Sequence, residues 1–245
     1  MRSAKHVGVF VFLIVTLACS RNSLPLVMQP DVERSSPYVA ILISGDGGWA
    51  RLDKEIAHRL AQQGVPTLGL NSLRYFWSAR TREEIALTLK TMLEKAESTW
   101  PGRHFLLIGF SRGANVLPFM LEGLPENLRS RVARIALLSP AHSTHFEFRL
   151  RDWFTNRAPA GGQPLLPALE KIQGKKLLCL YGKQDPDTVC PELENSTAKV
   201  VAFPGGHHLG EEYTEITREI LMGLPGLPHR QTGTPETTDS FRSSP

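Results

Sequence analysis

The chain has 245 residues, of which 41% are hydrophobic, and a chain of this length suits one α/β domain or two small ones. Its 28 basic and 24 acidic side chains give a formal charge of +4, and no Lys/Arg block is dense enough to indicate nucleic-acid binding. We therefore exclude a nucleic-acid partner and expect a mildly basic globular protein, whose charge is compatible with attraction to an anionic membrane.

The first residues, 1–18, have the pattern of a secretory signal peptide. Two basic residues precede the apolar run 7–18, which is too short to span a membrane comfortably. The sequence Thr-Leu-Ala-Cys that ends at Cys19 partly matches the box in which a lipoprotein cysteine is acylated. We expect export by this segment, with a lipid anchor at Cys19 as the alternative to a freely cleaved product, and a polar linker over 19–37.

Beyond the linker, continuous apolar runs alternate with segments of helical periodicity. Continuous apolar runs indicate strands that are buried on both faces, and their alternation with helices predicts a mostly parallel sheet covered on both faces. Thr81 is a predicted N-cap. The predicted strands are 38–45, 65–70, 104–110, 132–140, 175–182 and 199–205, and the predicted helices are 52–63, 81–100, the segment after Ser111 and 211–224.

Two stretches fall outside this alternation. Residues 142–172 mix aromatic side chains with Pro and Gly between two predicted strands, which is typical of a small cap-like insertion. The tail 224–245 is rich in Pro, Ser and Thr, so we expect disorder there. The α/β domain is therefore predicted over 38–223.

Residues 109–113 read Gly-Phe-Ser-Arg-Gly and follow directly on a predicted strand. A serine at a very tight strand-to-helix turn has a strained backbone, and residues without a Cβ fit two positions before and after it. Gly109 and Gly113 meet this requirement. Ser111 is therefore predicted to be a nucleophile, and the start of the next helix would stabilise negative charge beside it.

A serine nucleophile needs a base that takes its proton and an acid that orients the base. In an α/β-hydrolase fold the acid and then the histidine follow the serine, each on a loop after a later strand. The loop after the fifth predicted strand holds Asp185 and Asp187, and the loop after the sixth holds His207 and His208. We choose Asp185 and His207, which directly follows two glycines, and leave Asp187 and His208 open as alternatives.

The tetrahedral intermediate of acyl transfer needs backbone N–H donors aimed at its oxygen. Arg112 follows the nucleophile and is the first candidate donor. The glycine-rich loop 43–49 follows an early strand, and Asp46 in it is the second candidate. The alternative is that this loop is only a tight turn before a helix.

Cys179 and Cys190 flank the loop that holds the candidate acids. In an oxidising compartment they could form a disulfide that clamps this short loop. Two buried free thiols are the alternative.

Five segments within about residues 38–222 carry a family resemblance. They are SGDGGW, LGLNSLRYFWSARTREE, GFSRGANVLP, YGKQDPDTVCP and FPGGHHLG. The first two are the more specific ones, because an Arg-Tyr-Phe-Trp run at this distance from a Gly-Asp-Gly-Gly-Trp turn is not a general hydrolase feature. Together the five segments resemble the VirJ/AcvB family of exported bacterial α/β-hydrolase-like proteins.

The resemblance implies a periplasmic hydrolase of aminoacylated phosphatidylglycerol, which cleaves the ester between lysine and the lipid glycerol. An anionic membrane phospholipid would then be the substrate, and no cofactor or metal ion is expected. Some family members are linked to type IV secretion and virulence, so a non-catalytic accessory role with secretion-system proteins as partners is an alternative, and a generic carboxylesterase is another.

A lysyl ammonium would need an acidic or aromatic partner. Candidates for this contact are Asp46, Tyr75, Phe76 and Trp77. The alternative is that the aromatic side chains fill the core.

Overall fold

A computed structural model describes residues 23–32, 36–147, 162–172, 176–194, 196 and 198–227. The predicted signal peptide, most of the predicted tail and the middle of the predicted insertion lie outside these residues. None of the helices described is long and apolar enough to cross a membrane.

The described chain alternates strands and helices, as the sequence predicts. The strands are β1 Leu26–Gln29, β2 Tyr38–Ile43, β3 Thr67–Leu70, β4 His104–Phe110, β5 Val132–Leu138, β6 Ser143–Thr144, β7 Gln163–Pro164, β8 Leu177–Gly182 and β9 Lys199–Phe203. The helices are α1 Arg51–Gln62, α2 Ser72–Tyr75, α3 Arg82–Thr99, α4 Arg112–Glu122, α5 Glu126–Arg129, α6 Leu166–Glu170 and α7 Tyr213–Leu221, and single 3₁₀ turns lie at Cys190–Leu193 and Leu209–Glu211.

Seven strands form one sheet in the order β1-β3-β2-β4-β5-β8-β9. All neighbours are parallel except β1, which runs antiparallel to β3. The predicted mostly parallel sheet is confirmed. The strand order reverses at β2, because β3 lies on one side of it and β4 on the other, and a crevice opens at the carboxyl ends of the strands at such a point.

Helices cover both faces of this sheet. Alternate residues of β2 point to opposite faces, so Ile41 and Ile43 belong to one buried cluster and Ala40 and Leu42 to the other. The first cluster includes apolar residues of α3, α4 and α6, and the second includes those of α1 and α7. A strand that is buried on both faces reads as a continuous apolar run, which explains why these strands were readable from the sequence.

Helix α3 begins where the sequence predicts. The Oγ1 of Thr81 accepts a hydrogen bond from the Glu84 N–H at 3.2 Å, and the Glu84 carboxylate accepts one from the Thr81 N–H at 2.8 Å. This reciprocal pair is a capping box, and the predicted N-cap at Thr81 is confirmed.

Two elements differ from the prediction. The segment predicted as linker contains β1, whose four residues pair with β3 along the sheet edge. The last helix begins at Tyr213 rather than at 211, because Leu209 and Glu211 have left-handed backbone angles, with φ of 53° and 60°. Such residues end a helical path, so the helix can start only after them.

The described ends of the predicted insertion meet each other. Strands β6 and β7 form a two-residue antiparallel ladder, and the Leu165 N–H donates to the carbonyl oxygen of His142 at 2.8 Å. The expected cap-like segment between them lies outside the described residues over 148–161.

Candidate active site

Ser111 lies on the tight turn between β4 and α4, with φ of 51° and ψ of −115°. Residues other than glycine rarely adopt a positive φ, so the backbone at Ser111 is strained. A Cβ on Gly113 would lie 2.0 Å from the carbonyl oxygen of Ile43, and one on Gly109 would lie 2.5 Å from the Gly113 carbonyl. The two glycines are therefore required by close packing around the turn.

His207 lies next to Ser111 and Asp185. Its Nε2 is 2.8 Å from Ser111 Oγ, and its Nδ1 is 2.8 Å from Asp185 Oδ2. A carboxylate can only accept hydrogen bonds, so His207 Nδ1 carries a proton and donates to Asp185. Nε2 is then unprotonated and can accept a hydrogen bond from the serine hydroxyl. The Asp185 side chain is 5% exposed and the His207 side chain is 43% exposed, so the acid is buried behind a base that solvent can reach.

The two alternative residues make other contacts. The His208 ring packs against Phe110, with 5.4 Å between ring centroids. The backbone N–H of Asp187 donates to Asp185 Oδ1 at 3.4 Å, which supports the acid without replacing it. Of each candidate pair, the structure therefore brings Asp185 and His207 to the serine.

The acid loop is closed at its base by a disulfide between Cys179 and Cys190. Both cysteines are fully buried, and Cys179 lies in the middle of β8, the strand that leads into the loop. The alternative of two free thiols is therefore wrong. The bridge links the strand that leads into the acid loop to the turn that follows it.

The histidine loop crosses the end of β8 at very short range. A Cβ on Gly182 would lie 2.0 Å from the Gly206 carbonyl oxygen, and the Gln184 N–H donates to the Gly205 carbonyl at 2.9 Å. From the other side, Ser139 Oγ donates to the backbone carbonyl of His207 at 2.9 Å. These contacts hold the imidazole between Asp185 and Ser111.

The two candidate oxyanion donors flank Ser111. Gly45, beside Asp46, is so close to the nucleophile that a Cβ there would lie 3.3 Å from Ser111 Cβ. Among the described residues, neither the Asp46 N–H nor the Arg112 N–H has a hydrogen-bond acceptor. Both groups therefore remain available to a developing negative charge on a substrate oxygen.

The side chains of these two residues also contact each other. Arg112 Nε donates to Asp46 Oδ1 in an ion pair. The Asp46 carboxylate is therefore already paired with a cation, so it is not a free acidic partner for a substrate ammonium.

The loop that carries Asp46 is held by residues that sequence analysis missed. Ser44 Oγ accepts from the Ser72 N–H at 2.9 Å, and Ser72 Oγ donates to the Ser44 carbonyl at 2.6 Å. The ring of Trp49 occupies the space over Gly69, where a Cβ would lie 2.2 Å from it. The signal that could have found them is the joint presence of SGDGGW and LGLNSLRYFW, because these two segments pack together.

The aromatic candidates for substrate contact separate into two groups. Tyr75 is 3% exposed and Phe76 is 0% exposed, so both fill the core, and their assignment to a substrate contact is wrong. Tyr75 Oη lies 2.6 Å from Thr88 Oγ1, and burial raises the pKa of this phenol above its usual value. Trp77 is 66% exposed and stays a candidate.

Asp53 is a buried carboxyl in the first turn of α1, just after the loop that carries Asp46. Its Oδ2 accepts from the Ala50 N–H at 3.0 Å, whereas its buried Oδ1 has no partner among the described residues. Burial raises the pKa of Asp53 to about 7, against the hydrogen bond from Ala50, which lowers it. Asp53 is thus a carboxyl that titrates near neutral pH in the folded protein.

Within the described part of the chain, no group of three or more His, Cys, Asp or Glu side chains is placed to hold a metal ion.

The family model of the bacterial virulence protein VirJ matches residues 37–226. A search of curated protein sequences finds no match.

Solved structures share the fold at low sequence identity. Est1E from Butyrivibrio proteoclasticus with bound ferulic acid is 16% identical, with a TM-score of 0.56 over 80% of this chain and 92% of that one. An alpha-beta serine hydrolase homologue from Coxiella burnetii is 16% identical, with a TM-score of 0.57 over 81% and 90%. A soluble variant of monoglyceride lipase from Saccharomyces cerevisiae is 9% identical, with a TM-score of 0.54 over 82% and 96%. The predicted α/β-hydrolase fold is confirmed.

Proposed function

The chain belongs to the VirJ family of bacterial virulence proteins, and from this membership and the geometry around Ser111 we propose that it is a serine esterase. The observation that carries the proposal is the continuous path of hydrogen bonds from Ser111 through His207 to Asp185, with 2.8 Å at each step. This path starts at a strained turn, which an adaptor protein would have no reason to keep.

The reaction proceeds in two steps that these side chains can perform. His207 Nε2 takes the proton of Ser111 as Oγ attacks the ester carbonyl, and Asp185 stabilises the imidazolium through Nδ1–H. The N–H groups of Asp46 and Arg112 donate to the oxyanion of the tetrahedral intermediate. His207 then gives its proton to the leaving alcohol, and an acyl-enzyme forms. Water, activated by the same imidazole, attacks this ester and releases the acid and the free serine.

The substrate that family membership favours is an aminoacyl ester of phosphatidylglycerol, with lysine as the amino acid. The aminoacyl carbonyl is activated toward attack by a serine hydroxyl. The exposed ring of Trp77 could stack on a substrate ammonium, since cations are attracted to the faces of indole rings. The formal charge of +4, or +2 once residues 1–18 with Arg2 and Lys5 are removed, would attract the chain to the anionic phospholipids that surround such a substrate in the bilayer.

The periplasm is the proposed location. The signal-peptide pattern of 1–18 supports it, and so does the Cys179–Cys190 disulfide, because disulfides persist in oxidising compartments and are rare in the cytosol. Cell fractionation of the tagged full chain tests this, and a cytosolic product would contradict it.

The esterase activity is tested with a fluorophosphonate probe and with short-chain p-nitrophenyl esters. Wild-type protein should become labelled and should hydrolyse the ester. Ser111→Ala should lose both, with activity lower by several orders of magnitude, because no other group can form the acyl-enzyme. Ser98→Ala is the matched control, since Ser98 lies exposed on α3 and donates only to the Lys95 carbonyl.

The substrate is tested with vesicles that contain lysyl-phosphatidylglycerol, by measuring the release of free lysine. Release that depends on Ser111 supports the lipid substrate. Hydrolysis of p-nitrophenyl esters without release of lysine would indicate a generic carboxylesterase. A wild-type protein that neither reacts with the probe nor hydrolyses either ester would overturn the proposal in favour of an accessory role in secretion.

A further inference from the structure

Asp46 and Arg112 supply the two candidate oxyanion N–H groups, and their own side chains join them. Asp46 lies on the loop after β2, whereas Arg112 begins α4 after β4. These segments are 66 positions apart in the chain. The pairing of Ile43 with Gly109 and the close approach of Gly113 to the Ile43 carbonyl hold the strand ends together. The ion pair is the contact that joins Asp46 and Arg112 themselves.

Arg112 also holds a third segment. Its Nη1 donates to the backbone carbonyls of His145 and Glu147, at 3.0 Å each. The Arg112 side chain is only 11% exposed, and its guanidinium lies 5.8 Å from the ring centre of buried Phe76. One side chain thus connects the nucleophile turn, the loop of Asp46 and the beginning of the predicted insertion.

The segment that Arg112 holds is anchored a second time. The Arg80 N–H donates to the Phe146 carbonyl at 2.8 Å, and the Phe146 ring packs on Phe119 with 5.4 Å between centroids. The 145–147 segment is therefore a fixed support for the Arg112 side chain. A guanidinium that is held by two carbonyl oxygens can position a carboxylate in one place, because its donors lie in a rigid plane.

We propose that the Asp46–Arg112 ion pair is a positioning element that sets the spacing of the oxyanion hole. The inference rests on the proposed esterase function and goes beyond it, since it assigns the two side chains a role that is separate from their N–H groups. Removing either side chain leaves both N–H groups in the protein. A loss of activity then comes either from displacement of these N–H groups or from loss of the Arg112 charge.

The charge of Arg112 offers a competing explanation, in which the guanidinium stabilises the oxyanion through space. The two explanations predict opposite results for Asp46→Asn. This change leaves the positive charge of Arg112 unpaired, so a through-space effect would strengthen oxyanion stabilisation. If the ion pair positions the loop of Asp46, the same substitution weakens the stabilisation of the oxyanion.

The chain contains a matched control for Arg112. Arg103 lies directly before β4, at the end of the strand opposite to Ser111. Its Nη2 donates to the Asp31 carboxylate at 2.9 Å. Its Nη1 donates to the carbonyls of Tyr38 at 3.4 Å and Gly64 at 3.3 Å. Its side chain is 13% exposed, close to the value for Arg112. Arg103→Gln therefore removes contacts of the same kinds, to one carboxylate and two backbone carbonyls, far from Ser111.

The experiment measures kcat and KM on a p-nitrophenyl ester for Asp46→Asn, Arg112→Gln, the double variant, Arg112→Lys and Arg103→Gln. It also measures inhibition by a trifluoromethyl ketone, whose adduct with the serine places an oxyanion in the hole. We expect each single change at the pair to lower kcat about 10- to 100-fold with little change in KM. The inhibition constant should rise by a similar factor, as expected when only transition-state binding is lost.

The double variant should be about as active as the weaker single variant, because both changes remove one shared interaction. Arg112→Lys should recover part of kcat, since an ammonium can still pair with Asp46. Arg103→Gln should lower the unfolding temperature to an extent similar to Arg112→Gln and leave kcat unchanged.

Three results would overturn the inference. They are additive losses in the double variant, a gain of activity in Asp46→Asn, and equal kinetics for Arg112→Gln and Arg103→Gln. Each of these requires an active wild-type enzyme, so each is distinct from failure of the proposed function. A wild-type protein without esterase activity would overturn both.

Discussion

Gly182 faces the carbonyl oxygen of Gly206 so closely that a Cβ on Gly182 would lie 2.0 Å from it. Contacts this short do not occur, so a side chain at the end of β8 must displace the loop that carries His207. We expect Gly182→Ala to lower kcat about tenfold or more and to destabilise the fold by about 1–3 kcal/mol, the range for overpacking.

Gly206→Ala is the comparison for that change. A Cβ on Gly206 would meet only the Gln184 carbonyl oxygen, at 3.8 Å, which is an ordinary contact. This variant should keep clearly more activity than Gly182→Ala. Equal losses would show that any substitution near His207 is harmful and that the close approach at Gly182 has no special role.

The second prediction separates the members of each acid and base pair. His207→Ala should lower kcat about a thousandfold, and Asp185→Asn about a hundredfold or more, because each breaks a hydrogen bond of the path to Ser111. His208→Ala and Asp187→Asn should each cost less than about tenfold. Ester hydrolysis by the four purified variants is the measurement. Mild effects in all four would contradict the triad.

The third prediction concerns the disulfide. Replacing both Cys179 and Cys190 by Ala should lower the free energy of unfolding by about 2–3 kcal/mol, because the bridge closes a loop with a sequence separation of 11 residues. It should also lower kcat at a temperature at which the variant is still folded, since the bridge holds the loop of Asp185. Urea unfolding and ester hydrolysis measure the two effects.

Thiol titration of the denatured, unreduced wild-type protein supplies the check on that pair. No reactive thiol should come from Cys179 or Cys190. Two reactive thiols from this pair would show that the exported protein lacks the bridge, and the acid loop would then depend on packing alone.

The fourth prediction follows from the pKa of Asp53, which burial raises to about 7, whereas an unfolded aspartate titrates near 4. Between about pH 4 and about pH 7 the folded protein retains a proton that the unfolded chain has lost. Stability therefore falls as the pH rises through this range, by up to about 4 kcal/mol from this group, and then levels off.

Asp53→Asn removes the titrating group and keeps an oxygen that can accept from the Ala50 N–H. The difference in unfolding free energy between the wild type and this variant, measured in urea at several pH values, isolates Asp53 from all other groups. The variant should gain relative stability as the pH rises toward about 8. Parallel curves would contradict the prediction.

The sheet and the proximity of Ser111, Asp185 and His207 were predictable, because each rests on a short local pattern. Strands that are buried on both faces are continuous apolar runs, and the nucleophile turn needs Gly109 and Gly113 at fixed spacing. The preference for His207 over His208 also agrees with the structure. It depended on the two preceding glycines and not on any property of the imidazoles.

The contacts between distant segments were not predictable. Ser44 and Ser72 bind each other across 28 positions, and Asp46 binds Arg112 across 66. No periodicity or turn pattern reports such a pair. Strand β1 was missed for a related reason, since four residues at a sheet edge become a strand only when β3 offers them a partner.

The antiparallel direction of β1 decides on which side the N-terminal segment leaves the domain. Leu26 pairs with Leu70, the last residue of β3, and the Asn71 N–H donates to the Pro25 carbonyl at 3.0 Å. The chain therefore enters the domain at the carboxyl-terminal ends of the parallel strands, which is the end of the sheet at which Ser111 lies. Cys19 and Pro25 are six positions apart in the chain, and a segment of this length spans at most about 20 Å.

In a chain acylated at Cys19, the end of the sheet at which Ser111 lies would consequently be held near the bilayer. Headgroups of that leaflet would then face the enzyme at a high effective concentration, whereas a chain released by cleavage would have to find them by diffusion from solution. For the proposed lipid substrate, the direction of this four-residue strand would therefore give an anchored chain better access than a released one.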